Sequence, residues 1–183
     1  MIPSRPSYVA LLIATGLVLT SVASAADDWR GFESEVGRFS VDLPGKPKQL
    51  KKERWFPISS FVSRVYKTYV GDDIFGVNHT DIPGAALFFA GKKKIFDSTR
   101  DGFLEESKAT EVSFEKTDFV GRSGRELVYD IPAEGDHPPL RGLARMCFEG
   151  NRLYVFYAEV SESRASTDVE RFFGSIQISG ESD

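Results

Sequence analysis

Beyond the N-terminal 25 residues, apolar positions are densest in Arg141–Val160 (RGLARMCFEGNRLYVFYAEV), where two extended runs flank Gly150-Asn151. A Gly/Asn pair between apolar runs signals a two-residue hairpin turn. With the turn placed there, Glu149 faces Arg152, Phe148 faces Leu153, Met146 faces Val155 and Ala144 faces Tyr157. These form one nearly continuous apolar face. The other face pairs Cys147 with Tyr154, Arg145 with Phe156 and Leu143 with Ala158, and it too is mostly apolar. A ribbon apolar on both sides belongs in the middle of a sheet with something packed on each face. The pattern predicts a sheet between helices.

The remaining segments supply the other strands and the helices. Asp28–Glu35 and Arg38–Leu43 read as two short strands around Gly37, and Phe39 and Val41 alternate with polar neighbours until Pro44-Gly45 ends the run. Lys46–Arg54 (KPKQLKKER) reads as an edge strand whose lysines discourage edge-to-edge pairing, with a basic binding patch as the other reading. Phe61–Val70 and Ile74–Asp81 form a hairpin around Gly71-Asp72-Asp73, with the β-branched and aromatic content that favours strands. From about Lys92 to Ser107 the period changes. Ile95, Thr99 and Phe103 recur four apart, and Phe96 and Leu104 widen the stripe, so one long amphipathic helix is predicted. Thr110–Val120 and Arg125–Ile131 return to strand character around Gly121–Gly124 (GRSG). A Pro/Gly loop, Pro132–Pro139 (PAEGDHPP), leads into the ribbon. After it, Thr167 and Glu170 make a capping box for a short helix anchored by Val169, Phe172, Phe173 and Ile176.

The N-terminus changes the picture of where the chain works. Arg5, the apolar Val9–Leu19 and the small-x-small Ala23-Ser24-Ala25 compose a signal peptide over residues 1–25, leaving 26–183 as a single α+β domain. Its h-region is short for a bilayer span, and no later stretch is apolar enough to be one. The expected location is extracytoplasmic, either periplasmic or secreted. Setting Arg5 aside leaves 22 basic residues against 27 acidic, a net charge of −5. That balance argues against nucleic acid as a partner, and against anionic membranes through overall charge. The lone Cys147 permits no internal disulfide, so packing alone must hold the fold, and fifteen Phe and six Tyr supply the means.

Candidate chemistry is sparse. Glu134, Asp136 and His137 lie in the Pro/Gly loop and, with Asp130, offer ligands for a divalent ion, although an exposed turn accounts for the same residues. Asp97, Asp101 and Glu105 share one helix face, with Lys93, Arg100 and Lys108 near enough to neutralise them. Lys92-Lys93-Lys94 follows the apolar Ala85–Ala90 (AALFFA) and Gly91. One reading is a contact for an acidic partner or envelope polymer beside an exposed apolar patch, and the plainer one is a core-packing turn before a solvated helix start. Lysines at a helix N-terminus oppose the macrodipole, which hints at another purpose. There is no Gly-x-Ser-x-Gly elbow, phosphate-binding glycine loop or paired-histidine metal motif, so no catalytic residue is assigned and no cofactor is expected. Cys147 with His79 or His137 makes only a nominal pair, since strand context favours a buried thiol.

Three patterns recur together: Phe39–Pro47 (FSVDLPGKP) closing an N-terminal strand, the strand-glycine-strand unit Phe119–Val128 (FVGRSGRELV), and the closing helix Glu170–Ile176 (ERFFGSI). In this order, with a helix mid-chain and a tyrosine-bearing strand before the last helix, they resemble the PsbP-like superfamily. That group also includes the Ran-binding Mog proteins and small exported bacterial proteins. The resemblance covers most of the chain after residue 25. It implies an α+β fold with an antiparallel β-sheet sandwiched between helices (an α/β/α sandwich), and it implies binding or assembly rather than catalysis. It transfers no functional residue, because fold does not fix function. The expectation is an exported, non-catalytic binding or assembly module of the bacterial cell envelope, whose partner is a protein or envelope component. A small-ligand or divalent-cation binder and a carboxylate-dependent hydrolase are the other readings.

Overall fold

The computed structural model describes residues 28–56, 59–164 and 166–180. The expected signal segment, residues 1–25, lies outside them. In chain order the described residues form β1 (Trp29–Ser34), β2 (Phe39–Pro44), β3 (Lys48–Phe56), β4 (Ser59–Val70), β5 (Asp73–Asp81), α1 (Gly84–Ser107), β6 (Thr110–Phe119), β7 (Arg122–Ile131), β8 (Leu140–Glu149), β9 (Arg152–Val160), α2 (Ser166–Gly174) and β10 (Gln177–Ile178). Strands β3-β4-β5-β9-β8-β7-β6 make an antiparallel seven-stranded sheet, and β1-β2-β10 make a small three-stranded one.

The β8–β9 ribbon sits inside the large sheet in the register expected from its turn, with Glu149 opposite Arg152 and Ala144 opposite Tyr157. Side chains alternate across a strand, so one register fixes two faces. Ala144, Met146, Phe148, Leu153, Val155 and Tyr157 join one buried cluster with Phe96 of α1, and Ile95, Phe103 and Leu104 pack against it. Cys147, Tyr154, Phe156 and Ala158 join the opposite cluster with Phe39, Val41 and Leu43 of β2 and Phe172 and Phe173 of α2.

The cover on the two faces is unequal. One face carries α1, whereas the other carries the nine-residue α2 together with the small sheet. The expected flanking by helices is thus met in part, because β2 supplies much of the second layer. Polar groups fasten that layer. Arg152 donates to both oxygens of Asp81 and to the Val36 carbonyl, while the Tyr154 hydroxyl donates to the Gly37 carbonyl at 2.6 Å. The strand β10 was too short to show a sequence period, yet it completes the small sheet beside β2.

Three boundaries differ from expectation, each for a local reason. The β6–β7 turn is Val120-Gly121 alone, and Arg122-Ser123-Gly124 already belong to β7. Gly124 is a close-approach position and not a turn residue, since a Cβ there would collide with the Met146 carbonyl oxygen. Helix α2 begins at Ser166, so Thr167 lies inside its first turn, where Arg164 ties Asp168 to Asp73 of β5. Helix α1 begins at Gly84, well before Lys92, and breaks at Gly91 with φ 72° and ψ 155°. That conformation is open to glycine and strained for other residues.

Candidate interaction site

The loop Pro132–Pro139 leaves β7 and enters β8, with a tight turn at Gly135 and backbone bonds joining Glu134 to His137. Its charged groups find separate partners. Asp130 pairs with Arg141 at 2.5 Å, Glu134 with Lys108 at 2.5 Å, and His137 Nδ1 lies 2.7 Å from Asp72 Oδ1. The Lys108 ammonium holds the Glu134 carboxyl below its usual range. Asp136 is exposed. Glu134 and His137 line a shallow cleft of about 310 Å³ with Lys108, Ile131 and Leu140, which Asp130 and Asp136 do not line. Among the described residues no group of three or more His, Cys, Asp or Glu side chains is placed to share a metal ion.

Two of the three helix carboxylates are likewise engaged. Asp97 accepts from Lys93 at 2.9 Å, and Asp101 pairs with Arg100 at 2.7 Å. The thiol of Cys147 is buried, and desolvation pushes its pKa up to about 12, so it is an inert core group. His79 is also buried, opposite Tyr154 on β9, and Tyr154 in turn lies opposite Cys147 on β8. A whole strand therefore separates thiol from imidazole. Burial, helped by the Arg152 charge, lowers the His79 pKa to about 4. Among the described residues neither of its ring nitrogens has a hydrogen-bonding partner, and Tyr66 stacks on the ring. One buried carboxylate, Glu159, accepts a hydrogen bond from the Tyr129 hydroxyl at 2.8 Å, and burial raises its pKa. All three groups are buried in the interior of the fold.

Of the two readings of Ala85–Ala90, the exposed apolar patch agrees with the structure and the core-packing turn does not. In a core-packing turn, Ala85–Ala90 would bury its aromatics. Instead Ala86 and Leu87 pack on the sheet, while Phe88 and Phe89 are each 83 % exposed. Their rings meet edge to face, with centroids 5.4 Å apart. Lys92, Lys93 and Lys94 are all exposed immediately beyond the Gly91 break, and Lys92 Nζ lies 5.3 Å from the centroid of the Phe148 ring. No acidic residue occurs between Asp81 and Asp97. Two uncovered phenylalanines beside three lysines form a ridge at the end of the sheet that holds the Gly150-Asn151 turn, where Ile82 N–H donates to the Asn151 carbonyl. The available signal was the pairing of an apolar hexapeptide with a glycine and a lysine run that oppose a helix start.

No family model matches the chain, and no curated protein matches it. Among solved structures, it is similar to the solution structure of cyanobacterial PsbP (CyanoP) from Synechocystis sp. PCC 6803. The superposition has a TM-score of 0.57 at 16% sequence identity and covers 90% of this chain and 100% of that one. The fold is PsbP-like. At that identity the likeness speaks for the PsbP-like architecture alone, so the role of this chain rests on its own surface.

Proposed function

We propose that this chain is an exported, non-catalytic binding or assembly module of the bacterial cell envelope, and that the Phe88–Phe89 ridge is its contact surface. The signal-peptide pattern of residues 1–25 supports export. The helix-flanked sandwich is the architecture we read here, with the small sheet sharing α2's side. The carrying observation is the exposure of two adjacent phenylalanines in a chain that buries Phe39, Phe75, Phe96, Phe119, Phe156 and Phe172 almost completely. Exposed apolar clusters rimmed by charge mark interaction surfaces. A photo-crosslinking residue at position 89, compared in cells with one at exposed Lys116 on β6, tests this. Adducts specific to position 89 support the reading; the same adducts from both positions, or none from 89, overturn it.

The cleft beside Pro132–Pro139, lined by Glu134 and His137, favours a second reading, a small-ligand binder, and a divalent cation there would have to draw in Asp130 and Asp136 from outside the lining. A ligand at a hundred times its Kd adds about 2.7 kcal/mol of stability when it binds only the folded state. Thermal unfolding in the presence of calcium, and again with Asp136→Ala, checks it. A Tm that calcium leaves unmoved rejects the cation.

A further inference from the structure

The Phe88–Phe89 ridge carries a more specific inference, which rests on the binding-module reading. We infer that it is a membrane-surface anchor, in which the two phenylalanine rings enter the interface of an anionic bilayer and Lys92–Lys94 engage the lipid phosphates.

The shape of the ridge selects this occupant. Phe88 and Phe89 project from a helical turn, each 83 % exposed, and among the described residues their rings contact only each other. A protein partner would need a matching pocket for two convex rings, whereas a fluid acyl boundary accepts them without one. Charge complementarity points the same way. The chain is acidic overall, yet the stretch from Ile82 to Phe96 holds three lysines and no carboxylate. At physiological salt the screening length is about 8 Å, so acidic residues far from the ridge contribute little and the local sign governs. Asp97 is the nearest acidic residue in sequence, and its pair with Lys93 is exposed and therefore weak against a dense array of phosphates.

Gly91 gives the geometry its reason. Its positive φ breaks α1 between the aromatic turn and the lysines. The first segment can then set Ala86 and Leu87 on the sheet while turning Phe88 and Phe89 away, and the second segment keeps its own stripe on the core. An uninterrupted helix would tie both faces to one period. Two exposed aromatic rings followed in the chain by three exposed lysines offer apolar groups to an acyl boundary and ammonium groups to its headgroups.

The test is co-sedimentation of the chain lacking residues 1–25, which retains every described element. The probes are vesicles of phosphatidylcholine mixed with phosphatidylglycerol, and vesicles of phosphatidylcholine alone. Binding is expected only to the anionic vesicles and should weaken as salt rises. Each lysine near an anionic surface is expected to contribute about fivefold, so K92Q/K93Q/K94Q should bind about a hundredfold more weakly. F88S/F89S should abolish sedimentation at every salt concentration, and unchanged circular dichroism will show that it is folded. Absence of binding to anionic vesicles, or equal binding by F88S/F89S, overturns the inference. Position-89 crosslinks to a protein without vesicle binding would reject the bilayer and leave the binding module standing.

Discussion

The two faces of the large sheet are closed in different ways. On the α2 side, rings interlock: Phe39 contacts Phe32, Tyr66, Tyr154 and Phe156, and Phe172 contacts Phe75 and Phe173. Arg145 adds its guanidinium over Phe173, at 4.8 Å. On the α1 side the cover is a single broken helix, with three aromatic bridges among the described residues, Phe96 to Phe148 and Phe103 to Tyr129 and Tyr157. The first layer spends its aromatics on the core. The second leaves two of them outside, in the same segment that does the covering. The interlocked rings thus lie on one face and the uncovered ones in the helix that covers the other, and substitutions can separate the two.

The largest effect belongs to the interlocked face. Phe39→Ala removes the ring at the centre of that cluster, where nothing is free to refill the space, and should cost about 3–5 kcal/mol. Urea unfolding followed by circular dichroism measures it. A loss below about 1 kcal/mol would mean that the small sheet is a loose flap and the comparison is misdrawn.

Next comes pH, acting through His79 on the same face. Folding lowers its pKa from 6.5 to about 4, burial being the main cause, with Arg152 and Arg64 opposing the charged form and Asp81 favouring it. Between those values the unfolded chain takes up a proton that the folded chain refuses. The His79 contribution is therefore full above pH 6.5 and drains away as pH falls towards 4, by up to about 3 kcal/mol. Asp81, held low chiefly by its hydrogen bond from Arg152, loses stability in the same direction, whereas Glu159, raised by burial, works the other way. His79→Phe isolates the histidine. Its two unpartnered nitrogens disappear among Phe39, Tyr66 and Tyr154, so the variant should match the parent at pH 7.5 and exceed it at pH 5. Parallel pH curves for parent and variant would remove His79 from the account.

Gly91→Ala should cost about 1–3 kcal/mol, although a Cβ there meets open space, because the penalty lies in the backbone angle. On the α1 face it also changes where the ridge points, so vesicle binding should fall even where the domain remains folded. A variant with parental stability would show that the break is held by something other than glycine's freedom.

How much of this was legible in the sequence follows from which forces are local. The β8–β9 register was readable because a Gly-Asn turn fixes pairing and alternation then fixes both faces. The lysine-rich β3 was readable as an edge for the same kind of local reason. Gly124 was misread because a glycine required by a neighbouring strand looks like a glycine required by a turn. The partners of Glu134 and His137, which are Lys108 and Asp72, lie 26 and 65 residues away, beyond any spacing rule. For Phe88 and Phe89 the sequence left two readings, exposed patch and core-packing turn, because apolar composition predicts burial on average and cannot say which apolar turn a fold leaves uncovered.

The smallest expected effect on stability is also the sharpest test of the comparison. F88S/F89S removes the same residue type as Phe39→Ala, twice over, yet the two rings bury little beyond their contact with each other. Surface substitutions of that kind usually stay within about 0.5 kcal/mol. Urea midpoints for the parent and F88S/F89S should therefore coincide. If instead the double variant were destabilised by more than about 1 kcal/mol, the ridge would be covering core and not offered to a partner. Coincident midpoints with lost binding would place structure on one face of the sheet and contact on the other, which is the division that the unequal covers of the two faces imply.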